Sequence, residues 1–297
     1  MNRTFITICL LLITSFTFSQ HLSLKDQIES TIKSKNATVG VGIIYNGKDT
    51  ITINNNKKYP MLSVFKFPLT MAVLNYMDKK NIPLDTKILV TKDDLQPNTY
   101  SPLRDKYPDG NINVTLRELL QYTVSLSDNN TCDILINYIG GTKVAEEYVK
   151  SLGIHEIAIV ATENDMHKAF VNQYKNWITP LEATRLIEVF LNNDLYKNKE
   201  YKDFLENTLI ETTTGANKLK YHIPEDIIIG HKTGSSDRSP EGLKCAENDM
   251  GFVQLPNGKQ YTIAVFVKDS KEDDATNAEI IARISRLTFE HFMMQGL

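Results

Sequence analysis

The sequence predicts an α/β fold of the α+β kind in two lobes. An antiparallel sheet is built from both ends of the chain and flanked by helices, with an all-helical lobe inserted between its halves. Three observations carry this expectation. Strand-type segments lie near both termini, the middle reads almost wholly as helix, and no repeat or low-complexity linker divides the chain. With 297 residues and 41% hydrophobic content, the chain can bury a full core in one large domain or two intimate subdomains. The boundaries read as residues 1–19 for a leader and 20–297 for a single catalytic domain. Within it, the sheet lobe takes about 20–60 and 210–297, and the helical lobe about 61–209.

The elements follow in order. Arg3, an apolar run from Phe5 to Phe18, and small residues at Thr17 and Ser19 describe a secretory signal peptide cleaved near Ser19. The run is too short for a membrane span, no later stretch approaches that length, and Cys9 sits away from the cleavage point, so no membrane anchor is expected. Leu22, Leu24, Ile28 and Ile32, spaced by charges, predict an amphipathic helix over 22–36. "TVGVGIIYNGKDTITIN" predicts a hairpin turning at Asn46 and Gly47. In the helical middle, Thr115 with Glu118 and Thr179 with Glu182 read as capping boxes, the second with Pro180 at the first helical position. Gly140 and Gly141 stop the helix that begins near Asn130. "DIIIGHKTG" reads as a strand, "MGFVQLPNGKQYTIAVFVKD" as a hairpin turning at Asn257 and Gly258, and Thr276 to Met294 as the last helix.

Charge and cysteine usage exclude several functions. Loss of Arg3 with the leader takes the formal charge from −3 to −4, which leaves no electrostatic footprint for nucleic acid or anionic lipid. Cys132 and Cys245 alone would remain, and two separate thiols are expected. The six histidines show no His-Glu-x-x-His motif and no tight His/Cys pairing, so neither metal nor cofactor is expected.

Three polar islands carry the chemistry. In "YPMLSVFKFP", Ser63 and Lys66 stand one turn apart inside an apolar run, where a helix would bring hydroxyl and amine into contact. Such a pair alone is weak, since about one chance match is expected in a chain of this size. Ser30 and Lys33 form a second, on an ordinary polar helix face. "SLSDNNTC" places Ser127, Asp128 and Asn129 on a loop between helices, and "GHKTGSS" places Lys232, Thr233 and Gly234 at a strand end. A helix cap and a solvated strand end are the bland readings of these two. In the order S-x-x-K, S-D-N, K-T-G, 64 and 105 residues apart, the three are highly specific.

The set resembles the class A serine β-lactamases over essentially the whole mature chain, and that family shares its two-lobe fold with the D,D-peptidases. The resemblance implies hydrolysis of β-lactams through a serine acyl-enzyme. Ser63 would attack the lactam carbonyl, Lys66 would serve as proton acceptor or electrostatic partner, and Ser127 would relay a proton to the leaving nitrogen. Asn129 would meet the acylamino side chain, and Lys232 with Thr233 and Ser235 the substrate carboxylate. The main-chain N–H groups of Ser63 and Ser235, held beside Gly234, would form the oxyanion hole. The family also keeps a glutamate on a loop between S-D-N and K-T-G that activates the deacylating water, and Glu163 is the only glutamate in "ATENDMHKAFVNQYKNWITP".

Several positions depart from the common pattern. His167 stands where an asparagine usually helps hold the water, and Ala161 and Asn176 replace an arginine–aspartate clamp. Lys218 lies where a guanidinium often assists carboxylate binding, and lysine lacks the bidentate fork. Ser236 and "DRSPEGLKCAEN" lengthen the region after K-T-G, and Tyr100 matches an aromatic wall of the cleft. These features resemble a longer-loop branch that favours cephalosporins. The expected partner is a small β-lactam, the expected state a monomer, and the expected compartment the periplasm after secretion across the inner membrane. A penicillin-binding D,D-peptidase and a non-catalytic β-lactam sensor are the alternatives. Glu163 and the lack of an anchor or second domain favour the lactamase.

Overall fold

The computed structural model describes residues 22–295, so the leader read over residues 1–19, with Cys9, lies outside the described residues. In chain order, helix α1 (Leu24–Ile32) precedes the hairpin β1 (Thr38–Tyr45) and β2 (Asp49–Ile53). Then come β3 (Tyr59–Pro60), α2 (Lys66–Lys80), β4 (Lys87–Val90), α3 (Pro102–Lys106), β5 (Ile112–Thr115), α4 (Leu116–Val124), α5 (Asn129–Ile139) and α6 (Thr142–Ser151). The chain continues through β6 (Ile157–Ala158), α7 (Glu163–His167), β7 (Trp177–Ile178), α8 (Pro180–Asn192) and α9 (Lys199–Ile210). It closes with β8 (Ile229–Ser235), β9 (Lys244–Gln254), β10 (Gln260–Ser270) and α10 (Asp274–Met294).

The main sheet runs β2-β1-β10-β9-β8, antiparallel throughout, and joins the two ends of the chain as expected. Both its faces are covered, so β9 and β10 are buried along nearly their whole length instead of alternating. On one face Val39, Val41, Ile43, Val265 and Val267 pack with Leu24 and Ile28 of α1 and Ile280, Ile281 and Ile284 of α10. On the other, Met250, Phe252, Ala264 and Phe266 join the core of the helical lobe. Helix α8 rests on that face against β1 and β10. Gly42 lets it approach, because a Cβ there would stand 2.4 Å from the Pro180 carbonyl oxygen.

The two hairpins turn differently. Asn46 and Gly47 both adopt positive φ (49° and 68°), as a type I′ turn requires, and the Lys48 N–H closes the turn on the Tyr45 carbonyl. The second runs over 255–259: the Gly258 N–H donates to the Leu255 carbonyl, and Gly258 alone carries the left-handed φ, as in a type I turn with a bulge. The inserted lobe is built around α2, buried on all sides from Lys66 to Leu74, and also holds two small antiparallel sheets, β3-β7-β6 and β4-β5. Gly140 ends α5 at φ 99°, and Thr115 and Glu118 form the expected capping box.

The box expected at Thr179 is absent. Thr179 makes no side-chain cap, although Pro180 does open α8. Glu182 turns away to accept the His155 N–H at 2.8 Å and to pair with Arg185 at 2.9 Å. A backbone donor on a neighbouring loop has claimed the carboxylate that local spacing assigned to the cap.

Candidate active site

Ser63 precedes α2 and is not part of it. It sits in a 3-10 turn, Leu62–Phe65, that delivers the chain to the helix at Lys66. Leu62, just before it, is held at φ 46°, an unfavoured conformation for a leucine that tertiary packing imposes. Ser63 is the one residue between Tyr59 and Leu74 that is not buried. Fifteen buried neighbours in that stretch fix it from below while its hydroxyl faces solvent.

Beneath Ser63, Lys66 is fully buried, and its ammonium is surrounded by acceptors. It donates to Ser63 Oγ at 3.0 Å, to the Ser127 carbonyl at 2.7 Å and to Asn129 Oδ1 at 2.6 Å. Those bonds use the three N–H groups a lysine has. Glu163 Oε1 lies 2.9 Å from the same nitrogen and forms a buried ion pair with it.

The S-D-N island divides its work. Asp128 caps α5 through the Thr131 N–H and also accepts from Ser101 Oγ and the Leu103 N–H, so it stitches α3 to α5, and burial pushes its carboxyl above the usual range. Ser127, at φ 60°, and Asn129 turn to the cleft, where Asn129 Nδ2 donates to Thr99 Oγ1 at 2.7 Å. Lys232 donates to Ser127 Oγ at 3.0 Å from a fully buried position. Burial first, then the like charge of Lys66, holds the Lys232 ammonium well below the usual lysine range.

Strand β8 runs hard against the Ser63 turn. A Cβ on Gly234 would come within 2.4 Å of the Met61 carbonyl and 3.2 Å of the Ser63 nitrogen, so only glycine permits this contact. Thr233 Oγ1 shares a 2.8 Å hydrogen bond with Thr214, and Ser235 Oγ donates to Glu247 at 2.9 Å.

Glu163 is the first residue of α7, whose start is fixed by a capping box between Thr162 and Asp165. The residue is 6% exposed. Two devices place it. Asp133 accepts the N–H groups of Glu163 and Asn164 at 2.8 and 2.9 Å, and burial raises the Asp133 carboxyl to about 6. Asn176, fully buried, ties the segment leading to Glu163 with its amide: Oδ1 accepts the N–H groups of Val160 and Ala161, and Nδ2 donates to the Ala161 carbonyl.

Ten of the twelve residues singled out from the sequence line one cleft of about 580 Å³: Ser63, Tyr100, Ser127, Asn129, Glu163, His167, Lys218, Thr233, Gly234 and Ser235. Lys66 and Lys232 lie behind it and reach it through Ser63 and Ser127. Tyr100 is 57% exposed, a wall of the cleft and not a core tyrosine. Lys218 is engaged in an ion pair with Glu247 and is buried. Sequence reasoning missed Asp133 and Glu247. Asp133 stands one turn beyond Asn129 on α5, a spacing that would have revealed it. Glu247 carries no such signal, because its place depends on strand register. Among the described residues no His, Cys, Asp and Glu cluster suits a metal, and Cys132 and Cys245 are separate buried thiols.

A nucleophile-sized hydroxyl, an amine beneath it, a buried carboxylate beside that amine and a second hydroxyl–amine pair across the cleft can support acyl transfer to serine and attack by water. The sequence model of the beta-lactamase enzyme family matches residues 23–292. A β-lactamase of Bacteroides uniformis is 48% identical over 91% of this chain and 92% of its own. The crystal structure of a class A β-lactamase from Bacteroides cellulosilyticus is 52% identical, covers 91% of this chain and 96% of that one, and superposes with a TM-score of 0.88. That of TLA-3, an extended-spectrum β-lactamase, gives 46% identity, 91% and 98% coverage and a TM-score of 0.89.

Proposed function

The chain belongs to the class A serine β-lactamases, hydrolases of β-lactam antibiotics, and from that premise we propose that it acts through an acyl-enzyme on Ser63 and favours cephalosporins. The observation that carries the mechanism is the Lys66 ammonium, bonded to Ser63 Oγ at 3.0 Å and ion-paired with Glu163 Oε1 at 2.9 Å. Lys66, having first released a proton, takes the one on Ser63 as Oγ attacks the lactam carbonyl, and Glu163 is needed only for the water step. The developing oxyanion is received by the N–H groups of Ser63 and Ser235, donors each worth about 10²–10³ in rate. Ser127, polarised by Lys232, passes its proton to the departing nitrogen and is reprotonated from Lys66. Glu163 then takes a proton from water as it attacks the ester, returning Ser63 to its starting state.

Lys232, Thr233 and Ser235 hold the substrate carboxylate, Asn129 the acylamino group, and Tyr100 and His167 flank the substrate. The preference for cephalosporins is supported by the polar Asn176 clamp, by the long segment after β8, and by the extended spectrum stated for TLA-3. Export by the leader to the periplasm and action there as a monomer complete the proposal. Purified protein given a chromogenic cephalosporin should turn it over and gain its mass transiently. Ser63→Ala should do neither while keeping its fold, and continued acylation of that variant refutes the assignment.

A further inference from the structure

Behind β8 lies an ionic knot that the mechanism above leaves unused. Glu247 stands directly across the β8–β9 ladder from Ser235 and is buried. Its Oε2 accepts from Ser235 Oγ at 2.9 Å and is ion-paired with Lys244 Nζ at 2.9 Å, and its Oε1 pairs with Lys218 Nζ. Lys218 and Lys244 are themselves buried, and Lys244 also reaches Asp274 at 3.2 Å. Ser235 and Lys218 both line the cleft, so one hidden carboxylate already holds two of the donors that face the substrate.

We propose that Glu247 is a specificity-determining residue, a built-in competitor for the substrate carboxylate that weakens selection for anionic β-lactams. The proposal rests on the reading of the cleft given above. Ser235 has a single O–H, which it can give to Glu247 or to a substrate carboxylate but not to both. The Lys218 ammonium is likewise shared between Glu247 and the Asn248 carbonyl. A carboxylate entering the cleft therefore meets donors that are occupied and a like charge just behind them. Like charges this close to a partly enclosed site repel appreciably, because screening is weaker there than in water. The cleft consequently discriminates less between an acid and its neutral ester than two lysines and a serine would alone.

The test compares kcat/KM for a chromogenic cephalosporin with that for its 4-methyl ester. Glu247→Gln should raise the acid-to-ester ratio at least about tenfold, through a lower KM for the acid with kcat little changed. That variant leaves two buried ammoniums short of an anion and can fail to fold. Glu247→Gln with Lys244→Gln keeps the local charge of the wild type and loosens the hold on Ser235 and Lys218, because an amide oxygen is a weaker acceptor than a carboxylate. In this double variant the ratio should rise at least about threefold. An unchanged or lower ratio in a folded variant overturns the proposal. Failure of the wild type to hydrolyse the acid at all would instead count against the functional reading itself.

Discussion

Replacing Asn176 with alanine removes the whole clamp on the segment that carries Glu163. The side chain is fully buried and makes three hydrogen bonds at 2.8–2.9 Å, to Val160 N, Ala161 N and Ala161 O. The variant strands two backbone donors and one acceptor, each costing about 1–3 kcal/mol while it stays dry. Their sum is an upper bound, because the loop relaxes and water reaches the vacated space; about 3 kcal/mol is expected. Out of a typical 5–15 kcal/mol, that is enough to open the segment locally before the domain unfolds. Ala161 lies two residues from Glu163, so the kinetic consequence should be selective. On the proposed mechanism acylation draws on Ser63, Lys66 and Ser127 and should persist, while deacylation slows and acyl-enzyme accumulates. Urea unfolding gives the first quantity and intact-mass spectrometry of enzyme mixed with cephalosporin the second. A loss under about 1 kcal/mol with wild-type deacylation would refute the clamp.

Two further outcomes follow from the same geometry. Gly234→Ala puts a carbon 2.4 Å from the Met61 carbonyl, so β8 and the Ser63 turn must part; kcat should fall about a hundredfold or more with a stability loss of about 1–3 kcal/mol, read by steady-state kinetics and thermal melting. Asp133 is raised to about 6, above its unfolded value near 4, so the folded state holds this proton more tightly. Its contribution to stability is therefore full below pH about 4 and is lost as pH rises through about 6. Asp133→Asn should flatten that slope, by about 1–2 kcal/mol across the interval; parallel urea profiles for the two proteins would contradict it.

Much of the fold was legible because local signals and burial agree. Asn46–Gly47 demanded a positive-φ turn, and strand-type segments at both ends of the chain reported one sheet joining them. The signals failed where a distant partner intervened. Glu182 had cap spacing but went to the His155 N–H, and the start of β9 at Lys244 was hidden in a stretch that reads as loop. The motif residues were legible because they are few, polar and set in apolar surroundings. What supports them was not: Asp133 serves two backbone amides 30 residues away, and Glu247 meets Ser235 only through ladder register. Asn176 read as the loss of an ion pair, although its amide restores the clamp in neutral form.

The central claim is that Glu163 activates water against an acyl group on Ser63, and Glu163→Gln tests it most directly. Ser63, Lys66, Ser127 and the oxyanion donors remain in that variant, so one equivalent of chromogenic cephalosporin should open in a burst. Loss of a positioned general base costs about 10²–10⁴ in rate, so the adduct should then persist at the mass of enzyme plus substrate. Turnover near the wild-type rate, with no accumulating adduct, would contradict the account and shift the search for the base to His167.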